Sequence, residues 1–270
     1  MSRRRFLQAS AAVAATAVTG RAAADCAPRV RIRHHQVPWS GRQALRVVHI
    51  TDVHVGWSTP GVALAAAVDA ARVARPHLVA LTGDYVNTSL QHGETLRRFV
   101  RALPGPVVAT LGNHDHWADG PGMAKLLERE GVMVLRNQWV EARPAGQALR
   151  IVGVDDARTN NHDLERAFHR VEDPGSALVL SHDPSVADEI AEHGGRLILS
   201  GHTHGGQVQV PGLTDAVGRA VGMPYMGGWY DAAKARLYVN AGLGHSRAGL
   251  RVGKGASAEV AVLDLVPQAG

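Results

Sequence analysis

Cysteine is nearly absent: Cys26 is the one thiol in 270 residues. An intrachain disulfide is therefore excluded, and with it a disulfide-built secreted scaffold, so packing or bound ions must hold the fold. A soft thiolate metal site is excluded for the same reason. Aromatic residues are scarce at 4%, and no basic run interleaved with aromatics follows residue 24. Acidic residues are missing from the first 24 positions, which hold four of the 29 Lys and Arg (Arg3, Arg4, Arg5 and Arg21), so the remainder carries 25 bases against 24 acids. The net charge of +5 thus reflects the leader, and the footprint of a nucleic-acid binder is absent.

What is present is enough apolar material for a core: 45% hydrophobic residues in a length that suits one large α/β domain. The opening Met1-Ser2-Arg3-Arg4-Arg5-Phe6-Leu7-Gln8 is followed by a mild Ala/Thr/Val-rich stretch, Ala9 to Gly20, and then by Ala22-Ala23-Ala24. That pattern resembles a twin-arginine (Tat) export signal with cleavage after Ala24. An apolar run of about 12 residues is too short to span a bilayer, which needs about 20. Asp25 before Cys26 is a poor fit to a lipid-attachment box. The expectation is a signal peptide over 1–24 and a folded protein handed to the Tat machinery, placed in the periplasm or otherwise outside the cytoplasm, with loose membrane-surface association left open.

After a Pro- and Arg-containing lead-in (25–44), β-branched runs alternate with helical spacing. The pattern predicts strands over Leu45–Thr51, His77–Thr82, Pro106–Leu111, Leu149–Val154, Ala177–Ser181 and Leu197–Ser200. It predicts helices over Pro60–Arg75, Gly93–Leu103, Pro121–Glu130, His162–Val171 and Ser185–His193. Such alternation implies β-α-β units around a largely parallel sheet. The last third reads differently, with strands at Gln207–Val210, Arg236–Asn240 and Glu259–Leu265 and no clear helices between. A second, more antiparallel sheet is expected there.

Open α/β sheets gather ligands at the carboxyl ends of their strands. Those ends read T-D-V-H (Asp52, His54), T-G-D-Y-V-N (Asp84, Asn87), L-G-N-H-D (Asn113, His114, Asp115), S-H-D-P (His182) and S-G-H-T-H-G-G-Q (His202, His204). D-x-H and G-D-x-x-N are common alone, and Gly-Asp often only makes a turn, whereas G-H-T-H-G-G is the sharpest single piece, because two histidines among glycines waste packing volume unless they bind something. Five in order, each at a strand end, form a mixed nitrogen and oxygen donor set suited to Mn, Fe or Zn. Asp52 and His54, two apart, share a face on extended backbone and can hold one ion. His202 and His204 have that spacing too, but their glycine flanks let the chain turn so that each serves a different ion.

The series D-x-H, G-D, G-N-H-D, H and G-H-x-H resembles the calcineurin-like metallophosphoesterase superfamily. With T-G-D-Y-V-N, G-H-T-H-G-G-Q-V and the later Y-V-N-A-G-L-G (Tyr238–Gly244), it is similar to the YkuE/YaeI-like branch of exported or membrane-associated bacterial phosphodiesterases. The resemblance implies an α/β fold, a four-layer α/β/β/α sandwich, over 45–266, with a dinuclear centre of divalent or trivalent transition-metal ions. Carried over by position, Asp52, His54 and His204 would hold the first ion, Asp84 would bridge, and Asn113, His182 and His202 would hold the second. His114 would stand beside the leaving group and Asp115 would orient it. Two cations about 3.5–4 Å apart suit a phosphoester, since they neutralise its charge and supply a metal-bound hydroxide as nucleophile. Asn87 occupies the position where purple acid phosphatases carry a tyrosine, which argues against a ferric-tyrosinate enzyme.

The function implied is hydrolysis of a phosphodiester or phosphomonoester. Cleavage of the pyrophosphate in a nucleotide–lipid conjugate of the UDP-diacylglucosamine type is an alternative. A binding module that has lost the reaction is a third, disfavoured because every ligand position and His114 are retained. His34, His35, His77, His92, His162, His169, His193 and His245 have no carboxylate or glycine context that demands a metal and are expected to have ordinary surface or core roles. His116, Asp155 and Asp156 lie near the expected cleft and are open between substrate contact and structural roles.

Overall fold

The computed structural model describes residues 30–40, 43–56, 58–206, 218–219, 223–245, 251 and 254–267. The leader with its cleavage site and the Gln207–Val210 strand lie outside the described residues. The first half runs β1 (Arg31–Trp39), β2 (Leu45–Ile50), α1 (Gly61–Ala74), β3 (Leu78–Thr82), α2 (Gly93–Ala102), β4 (Val107–Thr110), α3 (Asn113–Arg129) and β5 (Met133–Val134). The second runs β6 (Gln138–Ala142), β7 (Leu149–Val154), α4 (Leu164–Ala167), β8 (Leu178–Ser181), α5 (Ala187–Glu192), β9 (Leu197–Ser200), β10 (Gly228–Ala232), β11 (Ala235–Val239) and β12 (Glu259–Pro267).

Two six-stranded sheets form, in the orders β1-β12-β2-β3-β4-β5 and β10-β11-β9-β8-β7-β6. The strands between α-helices are buried on both faces, which is why they read as unbroken apolar runs. Their period-two alternation then sorts residues between layers. Along β3, Leu78 and Ala80 enter the core between the sheets, while Val79 and Leu81 join the cluster under α1, α2 and α3. The outer face of the second sheet is covered by α4 and α5, through Leu164, Ala167, Ala187 and Ile190. This is the expected α/β/β/α sandwich.

The second sheet departs from expectation. It begins at β6, and its β7, β8, β9 and β11 are parallel, with antiparallel neighbours only at the edges β6 and β10. The last strand, β12, does not join it. It inserts into the first sheet, parallel to β1 and antiparallel to β2. Part of the lead-in is a strand, β1, whose mostly exposed face explains its polar sequence R-I-R-H-H-Q. The third helix begins eight residues earlier than its apolar spacing suggests, at Asn113 rather than Pro121, and breaks at Asp119 (φ 178°, ψ 86°). Its first turns follow the motif G-N-H-D, where function rather than apolar periodicity sets the residues. The helix expected over His162–Val171 shrinks to the four residues of α4, opened by an Asp163 cap on Arg166 N–H.

Candidate metal centre

The loops after β2, β3, β8 and β9 are laced together beyond the strand ends. Backbone N–H groups of Asp52, His54 and Val55 donate to the carbonyls of Gly83, Asp84 and Tyr85, and Gly201 N–H donates to His182 O. The residues that carry the donors are held in unusual backbone conformations. Asp52, His54, Asp84, His202 and His204 all have positive φ, between 43° and 72°. For residues other than glycine this region costs free energy and persists only where surroundings over-determine it, as at functional sites. Two glycines make the close approach possible. A Cβ on Gly112 would collide with the Asp84 carboxylate, and one on Gly201 with Thr51 and Asp52.

These constraints bring six of the seven sequence-predicted ligands into two clusters, Asp52–His54–His204 and Asp84–His182–His202, with the potential ligand atoms of each within 4.8 Å of one another. His204 Nε2 is 3.5 Å and His54 Nε2 is 4.0 Å from Asp52 Oδ1. In the other cluster, His182 Nε2 is 3.2 Å from Asp84 Oδ2 and 3.3 Å from His202 Nδ1. Asp84 stands between them, because the same Oδ2 is 3.7 Å from His54 Nε2. The seventh residue, Asn113, is buried at the start of α3, next to His114, whose backbone N–H donates to Asp84 Oδ1 at 2.9 Å.

The donor set fits cations on three counts. Asp84 Oδ2, His54 Nε2 and Asn113 Oδ1 are buried without a hydrogen-bond partner, a costly state unless something electropositive faces them. The far ring nitrogens are already engaged: His54 Nδ1 with Val86 O, His182 Nδ1 with Thr82 O and His204 Nδ1 with Gly244 O. A proton fixed on Nδ1 by a carbonyl turns the Nε2 lone pair toward the site, as in metal-bound histidines generally. Electrostatics agree. Burial drives His54 down to about 3 and lowers His202 and His204, leaving them neutral, as ligation requires. Burial, reinforced by Asp84 and opposed by His182, pushes Asp52 up to about 6. Burial also opposes the charged Asp84–His182 pair, yet their mutual attraction holds Asp84 well below the carboxylate range and His182 well above the imidazole range.

The Asp115 assignment requires correction. Its carboxylate accepts from the backbone N–H of Asp84 (2.8 Å), Tyr85 (2.8 Å) and Gly112 (2.9 Å). It therefore braces the loop that carries Asp84, and the ring nitrogen of His114 is engaged elsewhere: its Nδ1 lies 2.6 Å from Asn87 O. Burial and then the Asp84 charge push Asp115 up to about 7, against the pull of those N–H groups. Asn87 is a brace as well, its amide donating to Ser58 Oγ at 2.6 Å. His116 is pinned to Asp155 (2.7 Å), which also accepts from Arg136. Asp156 accepts from Thr159 through one oxygen, while its Oδ1 is buried and unpartnered. Sequence reasoning missed the carbonyls of Thr82, Val86 and Gly244, since a backbone oxygen leaves no mark in residue type. Gly244 was within reach, because the Y-V-N-A-G-L-G segment packs its glycines on Asp52 and His54.

The chain is similar in sequence to known proteins. Residues 45–206 match the family model for calcineurin-like phosphoesterases. The metallophosphoesterase YkuE of Bacillus subtilis is 30% identical over 93% of both chains. The phosphodiesterase YaeI of Escherichia coli is 28% identical over 98% of this chain and all of its own. LpxG of Chlamydia trachomatis, a UDP-2,3-diacylglucosamine pyrophosphatase, is 24% identical over 62% of this chain and 65% of its own.

Two expectations concern stability. Asp115→Ala leaves the three N–H groups without their acceptor, and the metal-stripped protein is expected to lose about 2–4 kcal/mol in urea unfolding; unchanged stability would mean that the carboxylate does not hold the loop. His49 is buried on the inter-sheet side of β2, and burial lowers it to about 3. The unfolded chain takes up this proton near 6.5 and the folded chain does not, so stability falls with pH from about 6.5 toward about 3, by about 1.4 kcal/mol per pH unit from this group. His49→Gln is expected to flatten the acid limb of the metal-stripped protein by that slope, measured as unfolding free energy against pH; an unaltered limb would show that His49 is protonated in the fold.

Proposed function

The chain belongs to the calcineurin-like phosphoesterase family, and we propose that it is a dinuclear-metal-dependent phosphohydrolase of phosphodiester or phosphomonoester bonds, with the diester preferred, that works outside the cytoplasm. It is a metallophosphoesterase, a hydrolase of phosphoric esters; the diester preference, the two-ion centre and the export are our reading. The observation that carries it is the Asp84 carboxylate: it belongs to one three-residue cluster, and its Oδ2, buried without a hydrogen bond, faces His182 of that cluster at 3.2 Å and His54 of the other at 3.7 Å.

In this reading Asp52, His54 and His204 hold one cation, Asn113, His182 and His202 the other, and Asp84 is shared. Bound cations supply charge neutralisation for the phosphate and an acidified water. The chain's own residues do the rest. His114 keeps one proton on Nδ1, facing Asn87 O, so the proton it can give to a departing oxygen is the one on Nε2. Asp115 fixes the backbone around Asp84, and the His116–Asp155–Arg136 chain fixes the helical segment that carries His114. The diester preference rests on the likeness to YaeI along nearly its whole length. Export rests on the twin-arginine pattern of the first 24 residues. Hydrolysis of a nucleotide–lipid pyrophosphate is the second reading, favoured by the likeness to LpxG.

The test is hydrolysis of bis(p-nitrophenyl) phosphate and p-nitrophenyl phosphate after chelation and addition of Mn, Zn or Fe. Metal-restored cleavage that favours the diester supports the proposal, and two bound metals with neither substrate cleaved moves it to the pyrophosphate reading. Asp84→Asn is expected to remove most metal and activity together, by metal analysis and assay of one preparation. His114→Ala should keep its metal and lose roughly 100-fold or more in turnover, within the usual range for general acid catalysis. A His114→Ala protein emptied of metal would contradict the role given to His114.

A further inference from the structure

A row of rings leads out of the first cluster. His54 is fully buried, His114 packs edge-on against it with centroids 5.0 Å apart, and Trp117 packs on His114 at 4.8 Å. His114 and Trp117 are three residues apart in the first turns of α3, a spacing that sets both on one helix face. The segment that carries them is short and held at both ends. It ends where Asp119 leaves helical geometry ahead of Pro121, and within it His116 is turned inward onto Asp155 at 2.7 Å. Trp117 is consequently held outward, with 57% of its surface exposed, the one aromatic among the exposed large hydrophobics of the described residues. An indole kept partly in water beside the candidate metal cluster forgoes some of the burial that its size favours, and its position over His114, not its exposure alone, suits it to contact a bound group.

We infer that Trp117 is a specificity-determining residue that forms the wall along which the leaving group departs, selecting alcohols or phenols with flat apolar surface next to the ester oxygen over small hydroxylated alcohols. This rests on the reading that His114 attends the leaving oxygen: a group bonded to that oxygen has the neighbouring indole as its first apolar contact. The indole offers a π face to a flat ring and no hydrogen-bond acceptor to a polyol. An aromatic contact of this kind is worth roughly threefold to tenfold in affinity.

The experiment measures binding to the metal-loaded protein by calorimetry, with benzylphosphonate and 3,4-dihydroxybutylphosphonate as probes, in which a methylene replaces the ester oxygen so that nothing is cleaved. The native protein is expected to prefer the benzyl probe by about threefold to tenfold. Trp117→Ala should bring that ratio near one by weakening the benzyl probe, and Trp117→Phe should retain most of it. A ratio unchanged in Trp117→Ala, equal weakening of both probes, or no measurable binding of benzylphosphonate overturns the inference. The two readings fail separately. A Trp117-dependent preference in a protein that hydrolyses nothing defeats the catalytic reading alone, whereas hydrolysis with a preference indifferent to Trp117 defeats only the assignment made here.

Discussion

Two carboxylates, Asp52 and Asp84, are fully buried among histidines that burial keeps mostly neutral. Uncompensated negative charge in such surroundings is expensive, and burial, reinforced by the Asp84 charge, pushes Asp52 up toward protonation. Positive charge is what this arrangement lacks, and the geometry around it is shaped to receive it. Lone pairs of His54 and Asn113 and one oxygen of Asp84 are left open, while backbone carbonyls hold the opposite edges of His54, His182 and His204. The Asp84 pairing favours a proton on His182 where a cation's charge would act, so a cation bound there would displace that proton.

The sandwich exists in its present form to hold that convergence. Parallel strands deliver loops to one end of each sheet, and an apolar core between the sheets, with Leu78, Leu180, Leu199 and Leu263 fully or almost fully buried, fixes the two ends against each other. Five candidate ligand residues in left-handed backbone conformations are a stored cost. The lacing of the loops, the Asp115 brace and the packing of Gly112 and Gly201 against the carboxylates keep the chain from relaxing out of them.

Much of this was legible in residue order, for a physical reason. A strand buried on both faces must be apolar, so Leu45–Ile50, Leu78–Thr82 and Leu197–Ser200 announce themselves, and the polar residues that follow each stand out. Strand partnership was not legible, since β12 pairs with strands more than 200 residues earlier and nothing in its apolar pattern names them. The strand β1 was hidden by its exposed, charged face, and β10 by its glycine and aromatic content. Within the site, the motif located Asp115 correctly in the sequence but not its task. A carboxylate one residue from a histidine need not touch its ring, and in the first turn of a helix it is better placed to accept backbone N–H groups.

Electron paramagnetic resonance of the protein loaded with Mn(II), read beside the number of ions bound per chain, decides whether the Asp84 carboxylate serves two cations or one. A shared Asp84 requires two ions per chain and the exchange-coupled spectrum of a pair about 3.5–4 Å apart. One ion per chain, or two that give the spectrum of isolated Mn(II), would contradict it.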